Sequence, residues 1–158
     1  MEFTEFQVVV EDFLARFASE GNPPEFRALD EVRADDRDLA FVEAQLGVTF
    51  PQKYRQVMKT YGGGLFGYVR LLPVRAPQAG DDDVLEENSG PYAVPGFVSV
   101  APVGTGDMYG FVVRDGICEE AVSMWIHDEN RICFDTPDFL AFLTLRAIQG
   151  GTGGYVAP

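Results

Sequence analysis

Residues 108–126 read MYGFVVRDGICEEAVSMWI, and this stretch decides the fold. Asp115-Gly116 at its centre is the strongest hairpin signal in the chain, because a two-residue turn favours residues that accept positive φ. β-branched and aromatic residues flank it on both sides, which predicts strands over 108–114 and 117–126. Pairing across the turn places Tyr109, Phe111 and Val113 on one face with Cys118 and Val122, and Val112, Ser123 and Trp125 on the other. Both faces are partly apolar.

Working outward, residues 67–74 and 97–103 upstream and 131–134 downstream share this strand-like composition, with turns between them. If Asp128-Glu129 closes a second hairpin, Cys133 stands opposite Met124 and Cys118 lies roughly 20 Å away along the strand. A disulfide needs Cα atoms within roughly 7 Å, so the two cysteines of the chain are read as reduced thiols. Thr136-Pro137-Asp138 then reads as cap, first position and acidic first turn of a closing helix that buries Phe139, Leu140, Leu143 and Ile148.

Before the strands the hydrophobic period is helical. Phe3, Phe6, Val10, Phe13, Leu14 and Phe17 form one stripe, which Gly21-Asn22-Pro23-Pro24 stops; the stretch to Arg33 reads as an irregular linker. A second helix starts near Asp35 or Asp36, turns Leu39, Val42 and Leu46 inward and ends at Gly47. A third takes Pro51 as its first position, presents Tyr54, Val57, Met58 and Tyr61, and breaks at Gly62-Gly63-Gly64. The fold class is therefore α+β: N-terminal helices, a mixed, mainly antiparallel sheet of about five strands, and a C-terminal helix packed on the sheet. Residues 1–149 are read as one domain and the Gly-rich residues 150–158 as a flexible tail.

The chain has 158 residues, 46% of them hydrophobic and 23% charged, the profile of a globular domain able to build its own core. Its formal net charge of −13 opposes binding to nucleic acid or to anionic lipid and favours a basic protein as partner. The acidic start MEFTEF is unlike a signal peptide and no apolar run approaches the ~18 residues of a membrane span, so a cytoplasmic location is expected.

The charge is unevenly spread. Residues 76–130 hold eleven acids against the single Arg114, a net −10. Within them the long segment 76–96 carries Asp81, Asp82, Asp83, Glu86 and Glu87, for which a solvated loop, a partner contact and a cation site are the alternatives. These acids lack EF-hand spacing and its central glycine, so no metal site is assigned. Lys53, Arg55 and Lys59 form a small basic cluster that reads as a solvated helix face.

Catalytic patterns are missing. Gly62-x-Gly64-x-x-Gly67 has the letters of a dinucleotide fingerprint but leads into a strand, whereas phosphate capture needs a helix N-terminus. His127 is the sole histidine and reads as a turn residue; no serine elbow or Cys/His pair is signalled. No catalytic residue and no cofactor is assigned. The candidate partner-binding residues are Asp81, Asp82, Asp83, Glu86, Glu87, Asp107, Tyr109, Trp125 and Asp128, which combine a negative field with aromatic anchors. Trp125 has a second reading, as a core residue.

Glu43-x-x-Leu46-Gly47-x-x-Phe50-Pro51-x-x-Tyr54, followed by Gly62-Gly63, resembles the opening signature of the SUKH superfamily of fungal cell-wall-assembly regulators and bacterial immunity proteins. Gly106-Asp107-x-Tyr109 entering a strand, residues 122–126 running into His127-Asp128, and the closing Phe139-Leu140-x-Phe142-Leu143 keep that family's order over residues 36–145. Phe50 stands where leucine is common, and Tyr61 where asparagine often precedes the glycines. The resemblance implies an α+β fold, no enzymatic activity and neutralisation of a cognate toxin of nuclease or deaminase type. The alternative it implies is a regulatory scaffold or small-ligand-binding module of the cell-wall-assembly-regulator type.

Overall fold

The computed structural model of the chain describes residues 1–150, so all but the first residue of the expected tail at 150–158 lies outside the described residues. Phe6, Val10 and Phe13 are buried along one stripe of α1 (Phe3–Ser19), and the Glu5 carboxylate accepts the Glu2 N–H at 2.8 Å to close its first turn. Asp35 caps α2 (Asp36–Leu46) by accepting the Asp38 N–H at 2.8 Å, while the Asp38 carboxylate accepts the Asp35 N–H at 3.2 Å. Gly47 ends that helix at φ 67°, where any Cβ would be strained. Pro51 proves to be the cap of α3 (Gln52–Thr60), one position earlier than its fixed φ suggests.

Two pieces differ from the linear reading upstream of the main sheet. Residues 67–74 are no single strand: β1 (Gly64–Phe66) and β2 (Val69–Leu71) form a hairpin that turns at Gly67-Tyr68. Gly67 sits at φ 56°, and a Cβ there would lie 2.1 Å from the Ala147 carbonyl oxygen, so a distant contact dictates the turn. The presumed linker also acquires order, because the Asp30 and Val32 N–H groups donate to the carbonyls of Leu65 and Gly63 at 2.9 and 3.1 Å. It lies along β1 as a third, strand-like edge.

Segment 76–96 is not a bare loop. It contains α4 (Val84–Ser89), capped by Asp83, which accepts the Glu86 N–H at 2.8 Å and the Ala76 N–H at 2.9 Å. Asn88 then meets β3 (Phe97–Pro102): its side chain donates to the Ser99 carbonyl and accepts the Ser99 N–H, both at 2.8 Å. A side-chain amide thus takes the place of a neighbouring strand on this part of the edge.

The five-stranded sheet runs β3, then β4 (Met108–Arg114), β6 (Val122–Ile126) and β7 (Arg131–Thr136), with β5 (Ile117–Cys118) also paired to β4; all its ladders are antiparallel. Asp115 and Gly116, at φ 51° and 76°, make the expected turn. Beyond it the predicted continuous strand 117–126 breaks at Glu119-Glu120-Ala121, and Tyr109 faces Met124 instead of Val122. The slip is two residues, an even number, so every side chain keeps the face read from the sequence.

The closing helix begins two residues later than its Thr136 cap reading, with Asp138 as cap. Thr136 ends β7 and is buried, while Asp138 caps α5 (Phe139–Phe142) by accepting the Ala141 N–H at 2.9 Å. The helix continues as a π-helical turn over Leu143–Ile148. Phe139, Leu140, Phe142 and Leu143 are fully buried, and Tyr54 of α3 packs edge-on against Phe139 and Phe111 at 5.0 and 5.3 Å. The odd-numbered residues of β4 therefore face α3 and α5, which lie on that side of the sheet.

Candidate partner-binding surface

The nine candidate residues fall into three places. Asp81 and Asp82 are exposed beside a hollow of about 350 Å³ that Asp30 and Arg70 also line. Glu86 is exposed in the first turn of α4, and partial burial, with the neighbouring Asp82, holds the Glu87 carboxyl above its usual range. Asp83 belongs to this group in sequence but serves as the cap of α4. This patch flanks β3, two strand positions from Trp125 on β6, or roughly 10 Å of sheet.

Asp107, Trp125 and Asp128 meet around His127. One Asp107 oxygen accepts the His127 N–H at 2.9 Å and contacts its Nδ1 at 2.7 Å, while Nε2 lies 2.9 Å from Asp128. The imidazole packs over Gly106, where a Cβ would come within 2.9 Å of the ring, and this accounts for glycine there at φ 100°. Hydrogen bonding to Asp107 raises the His127 pKa above 6.5, aided by the charges of Asp128 and Asp107. For Asp107, desolvation pushes upward, but hydrogen bonds from the His127 ring and backbone and from Thr105 outweigh it and the carboxyl lies below its usual value. The Trp125 indole N–H donates to Asn130 at 3.3 Å, and its ring centroid is 6.4 Å from that of His127.

Tyr109 stands apart, on the helix face, with its ring 4.8 Å from Phe142. It lines a cleft of about 780 Å³ together with Tyr68, Arg70, Val103, Arg146 and Gln149, and neither Asp107 nor Trp125 takes part in that lining. Arg146 is held by Asp135. Sequence reasoning missed this cleft because its walls come from β2, the β3–β4 turn and the π-helical turn, which no local pattern links.

Other motif residues have structural duties. Glu43 accepts the Phe50 N–H at 2.8 Å and pairs with Arg55 at 2.6 Å, bracing the connection between α2 and α3. Lys53 joins Asp138 at 2.7 Å and Lys59 joins Asp36 at 2.9 Å, so the basic cluster is ion-paired and not merely solvated. Burial pushes the Cys118 thiol up to about 12, which keeps it protonated, and both cysteines are free. Among the described residues no group of three or more His, Cys, Asp or Glu is gathered to hold a metal ion, and no helix is long and apolar enough to cross a membrane.

Against this geometry, a profile described as SMI1-KNR4 cell-wall (SUKH_6) matches residues 36–143, about two thirds of the chain. The chain belongs to this SUKH family. The match opens at the first residue of α2 and closes in the last helix, so in this SUKH domain α1 lies outside it. Asp107, Tyr109, Trp125 and Asp128 all lie within it, as do the braces at Glu43 and Asp138. No curated protein sequence matches the chain.

Proposed function

We propose that this protein is a non-enzymatic immunity protein that acts in the cytoplasm by occluding a cognate basic toxin of nuclease or deaminase type. The observation that carries the reading is the concentration of charge: eleven acids against one arginine over residues 76–130. Such a field speeds encounter with a cationic protein, and nucleases tend to carry basic clefts. Family membership is consistent with an immunity role. The test is to purify the product of the adjacent gene, assay its toxic activity, and add this protein in increasing amounts. Stoichiometric inhibition with a submicromolar Kd supports the reading; undiminished toxicity at excess overturns it.

The cleft beside Tyr109 favours a second reading, a small-ligand-binding regulatory module. Its volume of about 780 Å³ lies in the range of small-molecule sites, and Arg70 on its wall suits an anionic group, Arg146 being already held by Asp135. Saturable binding of a small anion, abolished by Arg70→Ala, would favour this module over toxin neutralisation.

A further inference from the structure

We infer that the open β6–β7 part of the sheet face that carries Trp125, Ile132 and Phe134 is where a cationic protein docks; this rests on the partner reading above. Towards β3 the same face is closed, since Phe97 and Ser99 are buried there. The register sets these side chains together. Trp125 pairs with Met108 on one side and Ile132 on the other, and Ser123 pairs with Gly110 and Phe134, so two rows cross three strands on the same face. Ile132 is 39% exposed and Phe134 69% exposed, and Ile117, opposite Arg114 on that face, is 61% exposed. The ring contacts from the helices, Tyr54 and Phe139 on Phe111 and Phe142 on Tyr109, all go to the opposite face. Scattered exposed apolar residues are ordinary, but Ile132 pairs directly with Trp125, whose inner part packs on the core, and Phe134 stands two positions along the same strand on the same face, so the three lie side by side.

Charge identifies the occupant. The two arginines of the sheet are each matched by a neighbouring acid, Arg114 by Glu119 and Arg131 by Glu129. Asp107 and Asp128 share the one histidine, and Asp115 and Glu120 add further negative charge around the sheet. A second copy of a chain carrying −13 would bring like charge against like, whereas a protein presenting an apolar side chain flanked by Lys or Arg meets both the patch and its rim. The indole is already oriented by Asn130, so little ordering is left for the bound state.

The experiment uses the purified product of the adjacent gene and this protein labelled with 5-fluorotryptophan, whose single site is Trp125. The variants are Ile132→Ser with Phe134→Ser, and Val8→Ser as an exposed control on α1. Expected are a shift of the fluorine resonance on binding, a rise in Kd of about tenfold or more for the double variant carried mainly by faster dissociation, and no change for the control. Binding by the original protein with an unmoved resonance and an unchanged Kd for the double variant overturns the docking face and leaves the immunity reading standing. No binding by the original protein overturns the immunity reading, and this inference with it. A concentration-dependent homodimer that the double variant abolishes would overturn the choice of partner.

Discussion

Asp107 grips His127 twice, through the backbone N–H at 2.9 Å and through Nδ1 at 2.7 Å, and so clasps the β3–β4 turn to the β6–β7 turn. The histidine's pKa is raised in the folded state, so its contribution is full below the unfolded value of 6.5 and is lost as pH rises through the folded value. The pKa of Asp107 is lowered, so its contribution is present above 3.8 and lost as pH falls through its folded value. The clasp is therefore strongest between these limits. Asp107→Asn should lose the most stability relative to the original protein near pH 5 and less at pH 8. As the only histidine, His127 can be titrated by NMR, and its pKa should fall in the variant; an unmoved value would sink the clasp.

Phe139 is fully buried against Tyr54, Phe111 and Phe142, with ring centroids 5.0, 5.8 and 5.7 Å away. Phe139→Ala should cost about 3–5 kcal/mol, since it removes a ring that three neighbours enclose. Urea melts decide the matter. A loss below about 0.5 kcal/mol would mean that the closing helix is not docked on the sheet.

The hydroxyl of Tyr54 is buried, and among the described residues no group lies within hydrogen-bond reach of it. Burial drives its pKa sharply upward, consistent with a phenol cut off from water. Tyr54→Phe should keep the three ring contacts and relieve an unpaired polar atom, stabilising the fold by about 1 kcal/mol. Thermal melts in which this variant is clearly less stable would show that the hydroxyl has a partner.

What could be read in the sequence was governed by local chemistry. Asp115-Gly116, Gly47 and the Asp35 cap act within a few residues of themselves, and each stands where its side chain predicts. The turn at Gly67 escaped because its cause is the Ala147 carbonyl, eighty residues downstream. Asp83 looked like one acid in a run of five because the N–H groups it caps carry no signature of their own. For the same reason the exposure of Ile132 and Phe134 was illegible: alternation tells which residues share a face, and only the packing of the helices tells which face stays open.

Acids that cap and acids that steer should separate experimentally. Asp83→Ala removes the acceptor of both the Glu86 and Ala76 N–H groups and should cost about 1 kcal/mol. Neutralising the exposed Asp81, Asp82 and Glu86 should leave stability unchanged, and neutralising the partly buried Glu87, whose charge is disfavoured by burial, should not lower it. Asp81→Asn, Asp82→Asn, Glu86→Gln and Glu87→Gln combined then test steering alone. At low salt this fourfold variant should bind the toxin about tenfold more slowly while dissociating at the original rate, because charges beside an interface act on encounter. The difference should close as ionic strength rises, since the Debye length falls from roughly 10 Å at 0.1 M to 3 Å at 1 M. Stopped-flow association at several salt concentrations reads both predictions in one series. If the fourfold variant associates as fast as the original protein throughout, the 81–87 patch is plain solvated surface, and any steering field would have to come from Asp107, Asp115, Glu120 and Asp128 around the sheet.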